Sequence, residues 1–424
     1  MNEVKEKKKL GLTTKIFISL IAGAIVGIAL NMFAADVEFV QNVLVNGVFY
    51  VVGQGFIRLM QMLVVPLVFC SLICGATAIG DSKTLGKVGV KIIGFYIFTT
   101  MMAVAVALGI GLLIKPGMGL DMSQIQTAEV TASSDSVSFA ETLLNIIPKN
   151  PIGALANGEM LQVIVFALIV GVILAKLQDK TQLVTNFFQQ GNDIMMEMTM
   201  MVMGLAPIGV FCLISKTFAG LGFSAMVPMF KYMGAVLLAL FIQCCGIYQI
   251  LLALLTRLNP LRFLKKFAPV MGFAFSTATS NATIPMNIDT LEEKIGVNRR
   301  ISSFTIPLGA TINMDGTSIM QGVAVVFVAQ AFGIQLTPAD YLTVIATATL
   351  ASIGTAGVPS VGLVTLAMVF DSVGLPVAGI GLIMGIDRIL DMARTAVNIT
   401  GDAVCTTIVA HQDGALDKSV FNKN

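Results

Sequence analysis

Residues 387–402 read DRILDMARTAVNITGD, so three aspartates and two arginines interrupt a part of the chain that is otherwise apolar. On a helix that turns about 100° per residue, a single stripe roughly 80° wide collects Asp387, Asp391, Arg394, Asn398 and Asp402. An ionisable group at the centre of a bilayer costs about 2.5 to 3.5 kcal/mol, and such groups usually face a cavity or a pathway. The stretch therefore predicts a membrane helix with one functional polar face.

The composition of the whole chain agrees with a membrane setting for this helix. The chain has 424 residues, of which 56% are hydrophobic and 12% are charged, and its mean hydropathy is +0.88. We therefore predict an all-α polytopic membrane protein embedded in the lipid bilayer. A net charge of +2 gives no reason to expect a nucleic-acid partner. The six cysteines lack the spacing of a zinc site or a disulfide framework, and the single histidine leaves no histidine-based triad.

Lysine and arginine predict the topology, because short cytoplasmic loops carry an excess of positive charge. The four lysines among residues 5–9 place the N-terminus inside, and a first span follows at 10–33. Basic clusters then alternate with loops that lack them, through a fifth span near 187–215 and a sixth near 231–255. We expect a cell-membrane protein, inner or plasma, with both termini in the cytoplasm.

Two later segments do not fit as ordinary spans. Residues 267–293 have basic clusters on both sides, so this segment enters and leaves on the cytoplasmic face, with its tip at STATSNATIP (276–285). Residues 343–370, interrupted by Gly, Thr and Pro, keep the C-terminal lysines inside only if they re-enter from the other face. Two re-entrant hairpins of opposite direction are typical of the inverted repeats of secondary transporters. Close packing of small residues between helices is the alternative explanation of these runs.

The buried charges predict a bound cation. A second polar patch, GATINMDGT (309–317), adds Asp315 to the three aspartates of the stripe, and only Arg394 opposes these four acids. Three uncompensated negative charges in a low dielectric are expensive, so something positive must bind. Oxygen ligands from carboxylates, amides and unwound backbone suit a hard cation such as Na⁺, or the acids could carry protons instead.

The same stripe indicates the solute. Arg394 offers a planar fork for a carboxylate, and Asp391 offers a partner for an ammonium group. The hairpin tips offer helix N-termini for a second carboxylate. An acidic amino acid carries this combination, whereas a dicarboxylate would leave Asp391 unpaired and a neutral amino acid would leave Arg394 unpaired.

Three motifs resemble one family of transporters. NMDGT (313–317), ASIGTAGVP (351–359) and DMARTAVNITGD (391–402) are similar to those of the dicarboxylate/amino acid:cation symporter family, which includes archaeal aspartate transporters and mammalian excitatory amino acid transporters. The resemblance extends from about Lys15 to His411. It implies eight transmembrane helices plus two re-entrant hairpins, a homotrimer, and an elevator mechanism.

The resemblance also implies a role for individual residues. The substrate would be held by Arg394 at its side-chain carboxylate, by Asp391 at its amino group, and elsewhere by Ser280, Thr317, Asn398 and backbone near Val358. One Na⁺ site would use Gly309, Asn313, Asn398 and Asp402, and another Thr311, Ser352, Ile353 and Thr355. A third would use Tyr96, Thr99, Thr100, Asn313 and Asp315.

The family architecture further implies a division of the chain into a static and a moving part. A scaffold would comprise residues 1–80 and 116–218. A transport domain would comprise residues 81–115 and 219–412, with both hairpins, and residues 413–424 would form a cytoplasmic tail.

Other functions remain to be weighed against sodium-coupled uptake of L-aspartate or L-glutamate. A proton-coupled symporter has similar residues, and carriers of serine or threonine or of C4-dicarboxylates are further alternatives. An anion channel would line its path along several helices rather than concentrate ligands for one zwitterion. We expect no enzyme, because Asp387 and Asp391 could act as an aspartyl pair only without the arginine and the cation ligands beside them.

Overall fold

The computed structural model describes residues 12–35, 37–78, 85–120, 147–221, 226–354 and 362–423, and these are helical almost throughout. Within these ranges no β-strand occurs, and the only bridge of that kind joins Val297 to Leu416. Val358 and Thr355, which the resemblance assigns to the substrate and to a cation, lie outside the described residues.

The first half of the described chain consists mainly of long helices, with one short helix of seven residues among them. A π-helical segment, Val40–Phe49, leads directly into the second of them. The helices are α1 (Leu12–Phe33), α2 (Tyr50–Ala78), α3 (Leu85–Ile114), α4 (Pro151–Asn157), α5 (Met160–Leu177), α6 (Gln182–Gly204) and α7 (Ala206–Leu221).

The second half is more often broken. A π-helical segment, Ile242–Ile247, joins α8 to α9, and another, Leu291–Ile295, follows α11. The helices are α8 (Met226–Phe241), α9 (Tyr248–Thr256), α10 (Pro260–Thr277), α11 (Ser280–Thr290), α12 (Arg299–Ile312), α13 (Asp315–Ala331), α14 (Pro338–Gly354), α15 (Gly362–Asp371), α16 (Ile380–Gln412) and α17 (Lys418–Asn422).

Several helices are long and apolar enough to cross a membrane. By length and composition the described residues contain five, or six if a pair bent by 51° forms one span. The bent pair is Val165–Gly204 and Ala206–Gly220, and the break between them at Leu205 falls inside the fifth span that we predicted near 187–215. The break has a local cause, because Pro207 lacks an N–H and its ring would clash with the carbonyl four residues earlier in a continuous helix.

A tight turn joins α10 to α11. Helix α10 ends at Thr277, Ala278 adopts a left-handed conformation with φ 51°, and Thr279 is extended with φ −143°. The two helices pack against each other. The turn is narrower than the predicted tip, since residues 280–285 are already part of α11. Its first residue, Ser280, is therefore placed at a helix N-terminus.

Helix α16 lies at the centre of the second half. It packs against α3, α8, α9, α10, α12 and α13. Helix α13 is enclosed too, since all of its residues except Gln330 are buried. The buried polar side chains of α16 and α13 must therefore find partners in the protein.

The C-terminal segment, residues 417–423, packs near the start of α10 and against the residues that follow α11. Lys266 Nζ donates to the backbone oxygens of Lys294 (3.1 Å), Phe421 (2.9 Å) and Lys423 (2.8 Å), and the Phe421 ring is buried. The backbone N–H of Asp417 donates to Gly296 O at 2.8 Å. This segment therefore joins the end of α16 to the hairpin.

We expect Phe421→Ala to destabilise the protein by about 3 kcal/mol, the usual cost of deleting a buried phenyl ring. The midpoint of thermal unfolding of the purified protein measures the effect, and Lys423→Ala, which removes an exposed side chain of the same segment, serves as the control. An equal midpoint for Phe421→Ala and wild type would show that the segment does not brace the hairpin.

Candidate functional site

The polar stripe of α16 is buried along its whole length. Asp387, Asp391, Arg394, Asn398 and Asp402 are all enclosed, and Arg394 is among the largest fully buried side chains in the protein. The stripe faces α12 and α13 at the point where these two helices meet. The functional side chains therefore lie where a helix break and a charged helix face come together.

Arg394 is held by two carboxylates of its own helix. Its Nη1 donates to Asp387 Oδ1 at 2.7 Å and its Nη2 donates to Asp391 Oδ1 at 2.8 Å. The Nε of Arg394 is buried and has no hydrogen-bond partner among the described residues. An unpaired N–H on a buried guanidinium is costly, and it indicates room for an acceptor that a ligand could supply.

Three elements meet beside Arg394. Gly362, the first residue of α15, lies close to Thr317 and Arg394. A Cβ added to it would lie 2.7 Å from Thr317 Cγ2 and 3.8 Å from Arg394 Nη2. The N–H of Gly316, at the start of α13, donates to Asn398 Oδ1 at 2.7 Å. The structure thus brings Thr317, Asn398 and Arg394 together beside two helix N-termini, which favour a bound carboxylate.

The described contacts of Ser280 do not connect it to this group. It is buried at the first position of α11, and its carbonyl accepts from Thr283 Oγ1 at 2.6 Å within the same helix. No described hydrogen bond joins its side chain to Arg394 or Thr317. Its predicted role as a substrate ligand rests on its place at the hairpin turn.

The chain unwinds between α12 and α13. Asn313 has φ −104° and ψ 88°, and Met314 has φ −113° and ψ 51°, so neither residue continues either helix. The break leaves backbone N–H and C=O groups in the protein interior without partners inside a helix. The N–H of Met314 donates to Ser352 Oγ at 2.8 Å, and Ser352 Oγ donates to Ile312 O at 2.9 Å. Ser352 of α14 thereby packs directly on the unwound segment.

The first predicted cation set gathers around Asp402. Asn313 Nδ2 donates to Asp402 Oδ1 at 2.9 Å, while Asn313 Oδ1 is buried and has no partner among the described residues. Gly309 lies against both Asp402 Oδ1 and the Tyr96 hydroxyl, because a Cβ there would overlap both. Asn398 lies one turn before Asp402 on α16. An orphaned amide oxygen beside a buried carboxylate fits a hard cation.

The second predicted set is described only in part, because Thr355 lies outside the described residues. Ser352 contacts the unwound segment next to Thr311, and Ile353 follows Ser352 on α14. Thr311 Oγ1 donates to Leu308 O at 2.9 Å within its own helix.

The third predicted set forms around Asp315. Thr100 Oγ1 donates to Asp315 Oδ1 at 2.5 Å. Thr99 and Thr100 also donate to Tyr96 O, at 3.1 and 2.8 Å, and the Tyr96 hydroxyl donates to Thr305 O at 3.0 Å. The three residues of α3 thus lie against Asp315 and the middle of α12.

Two further polar residues contact Asp315 that the sequence analysis missed. Tyr248 OH donates to Asp315 Oδ2 at 2.6 Å and Gln243 Nε2 donates to the same oxygen at 3.3 Å. Both lie in a largely apolar stretch of the sequence, where packing is the ordinary explanation of a polar residue. The π-helical segment, which contains Gln243 and precedes Tyr248, could not be recognised from hydrophobic periodicity.

Gly309→Ala should disturb the predicted cation set around Asp402, although the substitution adds only one methyl group. The new Cβ would lie about 2.7 Å from the Tyr96 hydroxyl and would overlap Asp402 Oδ1. Overpacking of this kind costs about 1 to 3 kcal/mol, so we expect the Na⁺ concentration for half-maximal stabilisation to rise by about tenfold or more.

A thermal unfolding series over Na⁺ concentration would test the Gly309→Ala prediction. Gly272→Ala is the matched control, because a Cβ on this glycine of α10 meets only open space. Equal Na⁺ responses for the two variants would show that Gly309 does not affect cation binding.

Long apolar helices around a broken helix, with buried charges and oxygen donors at the break, are typical of secondary transporters. The chain belongs to the sodium:dicarboxylate symporter family, whose model matches residues 12–412. This finding confirms the family resemblance predicted from the three sequence motifs. The relatives are symporters, and the protein is a transporter rather than an enzyme.

Characterised relatives with different solutes are similar to the chain over most of its length. A proton/sodium-glutamate symport protein of Bacillus caldotenax is 35% identical over 96% of both chains. A proton/glutamate-aspartate symporter of Bacillus subtilis (strain 168) is 37% identical over 86% of this chain and 88% of the relative. The neutral amino acid transporter B(0) of Oryctolagus cuniculus is 32% identical over 93% and 79%.

Proposed function

We propose that the protein is a secondary active symporter that takes up an acidic amino acid, L-aspartate or L-glutamate, together with Na⁺. The observation that carries the proposal is the Arg394–Asp391 ion pair beside Thr317 and the N-terminus of α15, with Arg394 Nε left without a described partner. This arrangement offers a buried cationic fork and a carboxylate one turn away. An acidic amino acid complements both groups.

Substrate binding would exchange one ion pair for two. The side-chain carboxylate of the substrate replaces Asp391 at the guanidinium of Arg394, and Asp391 turns to the substrate amine. Asp387 keeps its 2.7 Å bond to Nη1 and so holds the fork in place during the exchange. Because Arg394 and Asp391 each keep an ionic partner, the exchange leaves neither of them as an isolated buried ion. Thr317, Asn398 and Ser280 would bind the remaining polar groups.

The cation sites would be built from the sets around Asp402 and Asp315. Na⁺ supplies positive charge that offsets these two acids in the low dielectric of the protein. Gly309, Asn313, Asn398 and Asp402 would hold one ion. Tyr96, Thr99, Thr100, Asn313 and Asp315 would hold another, and the region of Thr311, Ser352, Ile353 and Thr355 a third. A solute that binds only when these ions are bound would be taken up at the expense of the Na⁺ gradient.

Movement would follow the elevator mechanism implied by the family architecture. Residues 81–115 and 219–412 would move as a transport domain against a scaffold of residues 1–80 and 116–218, within a homotrimer in the cell membrane. The α10–α11 pair and the α14–α15 pair would be the two re-entrant hairpins among eight spans. Both termini would lie in the cytoplasm.

The test is radiolabelled L-aspartate uptake into liposomes that contain the purified protein, with an inward Na⁺ gradient, a proton gradient, or neither. We expect accumulation with the Na⁺ gradient alone. Accumulation with protons alone would support the second candidate, a proton-coupled symporter, which the similarity to the proton/glutamate-aspartate symporter of Bacillus subtilis favours. Failure under every gradient would overturn the acidic substrate, and serine, threonine and C4-dicarboxylates would then be tested.

A further inference from the structure

The two oxygens of the Asp315 carboxylate have different partners. Oδ1 accepts from Thr100 Oγ1 of α3 at 2.5 Å. Oδ2 accepts from Tyr248 OH at 2.6 Å and from Gln243 Nε2 at 3.3 Å. One oxygen therefore faces the α3 side of the proposed cation set, and the other is held by two donors from the α8–α9 segment. All of these side chains are buried.

The π-helical segment Ile242–Ile247 is what brings the two donors together. In a straight α-helix, residues 243 and 248 would point about 140° apart, because successive residues turn by about 100°. Here the N–H of Tyr248 bonds to Gln243 O, a spacing of five residues that widens the turn. The wider turn places Tyr248 nearly above Gln243, so both side chains reach the same carboxylate oxygen. Short π-helical segments within α-helices frequently occur at functional sites.

Gln243 also fixes the position of α3 relative to Asp315. Its Nε2 donates to Thr99 O at 3.2 Å as well as to Asp315 Oδ2. Thr99 belongs to the same proposed cation set as Asp315. A single amide group thus connects the backbone of one member of that set to the carboxylate of another.

A glycine of α16 makes room for the tyrosine hydroxyl. A Cβ on Gly401 would lie 2.5 Å from Tyr248 OH and 2.9 Å from Asn313 Nδ2. Any larger side chain at this position would push the hydroxyl away from Asp315. Four elements, α3, the α8–α9 segment, α13 and α16, therefore set where the carboxylate points.

We propose that Gln243 and Tyr248 are positioning residues that hold Asp315 Oδ2, so that Oδ1 stays directed towards Thr100 and the coupling cation. The inference rests on the proposed function, and it adds two residues of the α8–α9 segment to cation binding. A carboxylate that is free to rotate about its Cβ–Cγ bond must be fixed in one orientation when the ion binds, and this loss of freedom costs free energy. Two fixed donors remove that cost beforehand.

The first experiment is a Na⁺ titration of thermal stability with the purified full-length protein and no amino acid present, since an ion that binds only the folded state raises the unfolding midpoint. Because hydrogen bonds to charged groups are stronger than those between neutral groups, Tyr248→Phe should raise the Na⁺ concentration for half-maximal stabilisation by about tenfold, which is about 1.4 kcal/mol. Gln243→Met and Gly401→Ala should shift it in the same direction. The KM for L-aspartate at saturating Na⁺ should not change in Tyr248→Phe.

Two controls separate positioning from general damage. Tyr50→Phe removes a tyrosine hydroxyl that lies in α2, far along the chain from Asp315. Gln249→Met removes a buried amide of α9 that donates to Cys244 O instead. Both should retain the wild-type Na⁺ response. An unchanged Na⁺ response in both Tyr248→Phe and Gln243→Met would overturn the inference.

A failure of the sodium assignment gives a different result from a failure of the positioning role. If wild type itself responds to protons and not to Na⁺, the proposed coupling ion is wrong. If wild type responds to Na⁺ but Tyr248→Phe and Gln243→Met keep the same response, the coupling ion stands and the positioning role is wrong.

Discussion

Arg394→Cys should lower L-aspartate uptake by roughly 100-fold or more, the equivalent of about 3 kcal/mol. The substitution removes the only guanidinium of the buried stripe and with it the proposed partner of the side-chain carboxylate. It also leaves Asp387 and Asp391 buried without the cation that both contact at 2.7 and 2.8 Å. The measurement is the initial rate of radiolabelled uptake into liposomes over a range of L-aspartate concentrations.

The same variant should also change the choice of solute. Without the guanidinium, the absence of a side-chain carboxylate from a neutral amino acid no longer leaves Arg394 unpaired, so uptake of L-serine should rise relative to L-aspartate. Arg394→Lys keeps the charge and loses the planar fork, and it should lie between wild type and Arg394→Cys. Arg300→Cys, which replaces an exposed arginine near the start of α12, is the control. Unchanged aspartate kinetics in Arg394→Cys would remove this residue from the substrate site.

Asp402→Asn should raise the Na⁺ concentration for half-maximal uptake by roughly 100-fold, which is about 2.7 kcal/mol. The substitution conserves shape and removes the negative charge that the proposed ion would neutralise. An amide here would also present its own N–H₂ to Asn313 Nδ2, which now donates to Asp402 Oδ1 at 2.9 Å, unless one of the two groups turns. The measurement is a Na⁺ titration of uptake at constant ionic strength, with choline as the replacing cation.

A matched control makes the Asp402 result specific. Asp289→Asn removes an exposed carboxylate that pairs with Arg299 at 3.1 Å on the surface, where ion pairs contribute little. It should leave the Na⁺ titration unaltered. A wild-type titration for Asp402→Asn as well would contradict the assignment of Asp402 as a cation ligand.

The sequence predicted the main features of the site because they depend on local periodicity. The charged stripe of α16 follows from spacings of three and four residues, and the structure buries every member of it. The unwound segment at Asn313 and the turn at Ala278 also have local signals, since small and polar residues interrupt apolar runs there. The width of the turn was less predictable, because residues 280–285 are helical although polar residues and Pro285 interrupt the apolar run there.

Other features depend on contacts that no local pattern encodes. Nothing in the residues around Tyr248 or Gln243 marks them as polar partners of Asp315, which lies 67 and 72 positions away in the chain. The shared use of Arg394 by Asp387 and Asp391 likewise depends on which rotamers the surrounding helices allow.

The amino-acid sequence by itself determined the membrane environment, the helical class and the composition of the charged stripe, because these follow from hydropathy and from a period of 3.6 residues. The family followed from the resemblance of three motifs instead. Only the tertiary structure decided which oxygen of each carboxylate is held and by what, for example Asp315 Oδ2 by Tyr248 and Asp402 Oδ1 by Asn313. The physical reason is that a buried polar atom must be satisfied by whichever donor the packing of distant helices brings within about 3 Å.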